Sequence, residues 1–160
     1  MAWCFVDEAS GDADDVLGRL ERETALAPAH WPLEVAYALQ TAEHCGRLDA
    51  TDPPRLRALL AALPVEIAPL ELATAIGGVL ETGRTYDLSA YDAAYLDLAA
   101  ARAIPLATID GRLRTASARA GVELVGCAGV PEPAATDPVV PGSARLAVAQ
   151  CTSNDRFESP

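Results

Sequence analysis

Aromatic side chains make up only 5% of the 160 residues, cysteine occurs four times, and positive charge is scarce. No apolar run approaches the roughly 18 residues that a membrane span needs, so a membrane partner is excluded. Cys4, Cys45, Cys127 and Cys151 stand far apart and form no CxxC pair, which excludes a zinc ribbon or a thioredoxin-like redox site. They read as reduced thiols or small core residues. Neither a GxGxxG fingerprint nor a P-loop is present, so nucleotide-cofactor chemistry has no support. Lys and Arg together number 12 against 23 Asp and Glu, a net charge of −11. A protein that simply coats nucleic acid carries the opposite surplus, because its affinity comes from releasing counterions. An acidic chain can still act on a polyanion where a metal ion neutralises the phosphate locally, or where a basic partner covers the acidic surface. Asp7 and Glu8 cut the apolar start short, so no secretory leader is read and a cytoplasmic location is expected.

What is present favours helices. Half of the chain is apolar, much of it alanine and leucine, and the length suits one domain. ADDVLGRLER over 13–22 reads as an amphipathic helix, and Thr24–Ala27 as a strand stopped by Pro28. A strong helix runs from about Pro32 to Cys45, with proline at its first position and Gly46 as its stop. TDPPRLRALLAALP gives a helix with Asp52 as cap, followed by a strand over Val65–Ala68. Leu70–Thr82 reads as a helix weakened by Gly77 and Gly78, and Ser89 opens a long helix to about Ala103. Pro105–Ile109 is a strand, Arg112–Arg119 a helix ended by Gly121, and Val122–Val125 a further strand. Strands alternating with helices point to an α/β fold, a central parallel sheet flanked by helices, with ligands beyond the carboxyl ends of its strands. Residues 1–127 form the domain. Residues 128–160, with prolines at 131, 133, 138, 141 and 160 and only a weak strand-like SARLAVAQ, read as a disordered tail.

Among so many acids, those in unusual positions carry the argument. Asp92 shares a helical stripe with Leu96, Ala99 and Ala103 and points to the core side, whereas Asp97 is rotated about 140° away, toward water. Ser89-x-x-Asp92 also matches a capping box, and both readings stand together. Glu34 lies in a first helical turn, on the border between core and solvent, where the helix dipole alone would also favour it. Asp110 follows the apolar LATI at the carboxyl end of a strand, and Asp110-Gly111 is equally a turn pair. Three acids on three elements at one rim suit Mg²⁺ or Mn²⁺, which prefer hard oxygen ligands. Arg112 and Arg114 flank Asp110 and offer phosphate contacts, although a solvated helix face explains them as well. His30 and His44 have no activated Ser or Cys beside them and read as surface or packing residues. Trp31, Tyr37, Tyr91 and Tyr95 have core-like spacing and read as packing rather than base stacking.

WPLEVAYAL around Glu34, LSAYDAAYLDLA around Asp92 and PLATIDGRLRTASARAGVELV around Asp110 closely resemble PIN-domain ribonucleases, nearest the VapC-like toxins of toxin–antitoxin modules. The likeness covers roughly residues 1–126 in the same order and spacing, and AYDAAYL is its most specific segment. The resemblance implies a PIN-like three-layer α/β fold and Mg²⁺-dependent endoribonuclease activity. It also implies homodimerisation and inhibition by a cognate antitoxin protein. By position, Glu34, Asp92 and Asp110 match the family's second, third and fourth acids, and Thr108 its small hydroxyl residue before the last acid. Arg112 is an accessory candidate.

One departure stands out. The family opens with a strand ending in an aspartate, followed by a helix that resembles MAWCFVDEAS. The first acid and its strand, normally central in the sheet, are therefore expected to be absent, and Asp7 lies at the wrong end of the helix to replace that acid. Such a gap leaves backbone groups unpaired at about 1–3 kcal/mol each. A start codon placed at an internal methionine, or a decayed toxin that only dimerises or binds antitoxin, would each account for it.

Overall fold

Short apolar strands rich in alanine alternate with helices, and in the computed structural model they assemble into one parallel sheet. The structure describes residues 11–46, 53–125 and 145–148. In chain order the elements are α1 (Gly11–Leu20), β1 (Thr24–Pro28), α2 (Trp31–His44), α3 (Pro53–Ala61) and β2 (Val65–Ala68). Then come α4 (Leu72–Thr74), a π-helical turn (Ala75–Val79), α5 (Leu80–Tyr86) and α6 (Ala90–Arg102). The last are β3 (Leu106–Ala107), α7 (Gly111–Ala120), β4 (Leu124–Val125) and β5 (Arg145–Val148). The strand order is β2-β1-β5-β3-β4, and every pairing is parallel.

Helix ends fall where local chemistry sets them. Ser89 caps α6 by accepting from the Asp92 amide, and Asp110 caps α7 by accepting from the Leu113 amide. Gly121 ends α7 in the left-handed conformation, and Ala103 ends α6 the same way at φ 50, a conformation that a side chain disfavours. The expected helix over Leu70–Thr82 runs instead from Leu72 to Tyr86, and Gly77 and Gly78 lie inside its π-helical turn. There Gly78 passes so close to α6 that a Cβ would meet Asp97 Oδ1 at 2.9 Å. The strand expected over 105–109 is only two residues long, Leu106–Ala107.

Leu106 and Ala107 point to opposite faces of the sheet, and each is buried in a different apolar cluster. One cluster joins Trp31, Tyr95, Leu96, Leu113 and Ala116 to Ala27 and Ala147; the other joins Val16 and Leu20 of α1 to Ala25 and Val125. Helices thus cover both faces. No helix among the described residues is long and apolar enough to cross a membrane.

Two expectations are corrected here. A disordered stretch beyond residue 127 does not hold for Arg145–Val148, and the centre of the sheet is not a gap. β5 lies between β1 and β3, pairing Ala25 with Leu146 and Leu106 with Ala147. The Ala147 amide donates to the Pro105 carbonyl at 2.8 Å, and Ala147 is 0% exposed. A four-residue strand is too short to show a clear period, which is why SARLAVAQ carries so faint a signal. The expected cap Asp52, the segment Met1–Val6 and the rest of the tail lie outside the described residues.

Candidate active site at the carboxyl rim of the sheet

In a parallel sheet each strand delivers the chain to its carboxyl edge, where the following helix begins. β1 leads to α2 and β3 to α7, so Glu34 in the first turn of α2 and Asp110 at the cap of α7 lie at that edge. α6 runs the opposite way to the strands, since Arg102 precedes β3, and this brings its first turn with Asp92 to the same edge.

The closest knot of polar groups forms around Glu34. The Tyr95 hydroxyl donates to Glu34 Oε2 at 2.5 Å, and His30 Nε2 lies 3.6 Å from Glu34 Oε1. The His30 ring sits edge-on against two tyrosines, with centroids 5.2 Å from Tyr91 and 5.3 Å from Tyr95. Burial, with the Asp92 charge adding to it, raises the Glu34 carboxyl above the ordinary glutamate range against the opposing pull of the Tyr95 hydrogen bond. Burial also holds the His30 imidazole below its usual range, with Asp92 pulling the other way. His30 thus faces Glu34 as a neutral ring at neutral pH, and the contact is not an ion pair. The Tyr95 hydroxyl is raised by burial and by Glu34, so it stays protonated as the donor. Beside this knot, the buried His30 Nε2 and Trp31 Nε1 have no hydrogen-bond partner.

Asp92 is half-buried beside its cap. The Ser89 hydroxyl donates to Asp92 Oδ2 at 2.6 Å while accepting from the Asp92 amide at 3.1 Å. The capping interaction and the inward placement therefore hold together. Asp110 directs Oδ1 to the Leu113 amide at 2.8 Å, and its own amide donates to Thr108 Oγ1 at 3.1 Å. Thr108 is buried, and its hydroxyl fixes the bend that carries the chain from β3 into α7. Arg112 is exposed and reaches Asp87, donating to its carbonyl at 3.2 Å.

The structure thus brings Glu34 and Asp92 within electrostatic reach of each other and places Asp110 at the same rim on the next helix. Among the described residues, no group of three or more His, Cys, Asp and Glu is gathered closely enough to hold a metal ion. The three expected acids thus lie on three helices at one rim and, among the described residues, are not gathered into one cluster. The turn expected at Asp110-Gly111 is a helix cap. Asp97, expected to face water, is half-buried and accepts from Thr82 Oγ1 at 3.3 Å, because the π-helical turn brings its helix onto that side of α6.

Sequence reasoning missed His30, whose place inside the cluster depends on α2 and α6 meeting in space. It also grouped the aromatics too simply. Trp31 and Tyr95 are buried as expected, but Tyr37 and Tyr91 are exposed. His44 is an exposed residue bonded to the Gln40 carbonyl, and Cys45 is a free, exposed thiol.

Two expected results follow from the Glu34 environment. Tyr95→Phe removes the donor from a half-buried carboxylate and lowers stability near neutral pH by about 1.5–3 kcal/mol, measured by urea unfolding. The cost shrinks when the same change is made in Glu34→Gln, where no charge needs the donor. A carboxyl raised in the fold binds more protons folded than unfolded, so its contribution falls as pH rises from the ordinary carboxyl value, about 4.3, through the folded value. Above the folded value the full penalty is in place. Glu34→Gln is accordingly more stable than wild type there, and the difference disappears as the pH falls to about 4.

No family model matches the chain, and no curated protein and no solved structure matches it.

Proposed function

We propose that the carboxyl rim is the metal site of an endoribonuclease, with Glu34 and Asp92 holding Mg²⁺ or Mn²⁺ and Asp110 as the third acid. The reading is supported by one observation above all: Tyr95, on the helix that carries Asp92, donates to Glu34, so that carboxylates from two distant segments come to one edge of a parallel sheet within electrostatic reach of each other. Two like charges so placed repel unless a proton or a cation lies between them. Mg²⁺ typically takes one or two protein carboxylates and completes its shell with water and substrate phosphate, so the pair fits such an ion. When bound, the ion supplies an activated water and neutralises charge building on the phosphate.

The chain's own residues prepare that site. Tyr95 fixes the Glu34 carboxylate by holding Oε2, and Ser89 fixes Asp92 by holding Oδ2. Thr108 sets the backbone that presents Asp110. The sequence resemblance to PIN-domain ribonucleases, and to VapC-like toxins within them, supplies the substrate, RNA, and the partners, a cognate antitoxin and a second copy of the chain. The family places a strand at the centre of the sheet, and in this chain β5 holds that position.

Incubation of the purified chain with RNA tests the reading. Cleavage is expected with Mg²⁺, is lost with EDTA, and returns on adding Mg²⁺ or Mn²⁺. Cleavage that persists in EDTA, or no cleavage under any of these conditions, rejects it.

A second reading is a protein that has lost catalysis and only dimerises or binds antitoxin. Leu72, Ile76 and Leu80, which follow one another at four-residue spacing along α4, the π-helical turn and α5, are 74%, 63% and 41% exposed. Such a stripe is unusual on a surface without a partner. A chain that fails to cleave RNA but still forms dimers, with Ile76→Asp returning it to monomers, favours this second reading.

A further inference from the structure

Tyr91 precedes Asp92 in the sequence and is 62% exposed, although it belongs to a helix whose next five residues carry four buried ones. An isolated exposed aromatic needs no explanation, but this ring is held in place. His30 meets it edge-on at 5.2 Å, and His30 is itself set against Tyr95, which holds Glu34. The ring therefore belongs to the same packed unit as the carboxylate pair, yet most of it is open to solvent.

Affinity for RNA presents a physical problem for this chain. With a net charge of −11, it has little of the counterion release that drives most nucleic-acid binding to draw on. Metal bridging at the scissile phosphate supplies part of the attraction. Contacts that do not depend on charge add to it, and stacking on an aromatic face is one that every nucleobase can make.

We propose that Tyr91 is the nucleobase platform of this site, stacking an unpaired base beside the phosphate held at Glu34 and Asp92 and so restricting the substrate to single-stranded RNA. This rests on the rim acting on RNA. In an A-form duplex the base faces are occupied by their neighbours, so only a loop or a single strand can offer one to Tyr91. His30 acts as a positioning residue, holding the ring's angle through its edge contact.

Binding of a short fluorescein-labelled oligoribonucleotide, measured by anisotropy with Ca²⁺ in place of Mg²⁺, tests the platform. Tyr91→Ala is expected to weaken single-strand binding about 5- to 100-fold, while Tyr91→Phe stays within about twofold because the ring face is kept. The two proteins should not differ on an oligonucleotide of abasic sites, and wild type should bind a duplex of the same sequence less tightly than the single strand. Thermal unfolding of Tyr91→Ala should match wild type, since the ring is mostly exposed. Equal single-strand binding by Tyr91→Ala and wild type, with metal-dependent cleavage intact in wild type, overturns the platform and leaves the nuclease reading standing. Equal binding of duplex and single strand by wild type also overturns it. A wild type that neither cleaves nor binds RNA removes both.

Discussion

Ala147→Asp leaves the chain without a cooperative unfolding transition near neutral pH, whereas Leu59→Asp stays within about 0.5 kcal/mol of wild type. The contrast follows from position. Ala147 is 0% exposed in β5, between β1 and β3 and packed in the main apolar cluster. Leu59 on α3 is 59% exposed. A carboxylate buried at the Ala147 position without a partner costs several kcal/mol, and a typical domain has only about 5–15 kcal/mol of total stability. Far-UV circular dichroism with urea titration reads the result. A cooperative transition in Ala147→Asp with the wild-type midpoint would show that β5 does not hold the centre of the sheet.

On the proposed nuclease reading, Asp92→Asn lowers metal-dependent RNA cleavage by at least about 100-fold, a loss at the upper end of what even indirect metal partners produce. Asp97→Asn, five residues along the same helix, retains activity within about threefold. Asparagine at 92 keeps the contact with Ser89 and so preserves the helix start, but it removes the charge that acts on Glu34 and His30. Asparagine at 97 still accepts from Thr82, away from the rim. Initial cleavage rates in Mg²⁺ separate the two variants. Equal losses in both would point to a general effect on α6 rather than a role for Asp92 at the site.

Much of the architecture was legible because it is written locally. Pro32 and Gly46 bracket α2, Ser89 caps α6, Gly121 ends α7, and Val65–Ala68 is a strand in both readings. Helical periodicity placed Asp92 inward and so separated it from Asp97, but it overstated the exposure of Asp97. What covers Asp97 is the π-helical turn at Gly77 and Gly78, and an extra residue in a helical turn leaves no trace in a regular period. The central strand was missed for a different reason. Its pairing partners, Thr24–Leu26 and Leu106–Ala107, are far away in sequence, and a four-residue strand is too short to show an alternation.

At the rim, the sequence pointed to three acids as candidates but not to how they are distributed. Each acid has a local explanation; the cap is realised at Ser89–Asp92, whereas the turn read at Asp110-Gly111 is a helix cap, with Asp110 accepting from the Leu113 amide. What the local pattern could not supply is the meeting of α2 with α6, which sets Asp92 against Glu34 and draws in His30, Tyr91 and Tyr95. That meeting depends on two helices separated by more than forty residues of chain.

Binding of Mn²⁺ followed by electron paramagnetic resonance on the full chain tests the pairing of Glu34 and Asp92 most directly. Wild type is expected to take up the ion, and Glu34→Gln and Asp92→Asn should each lose at least about tenfold in affinity for it, with the double variant binding no more tightly than either. Unchanged uptake in both single variants, or two ions in wild type of which each single variant loses one and keeps the other at unchanged affinity, would contradict the account.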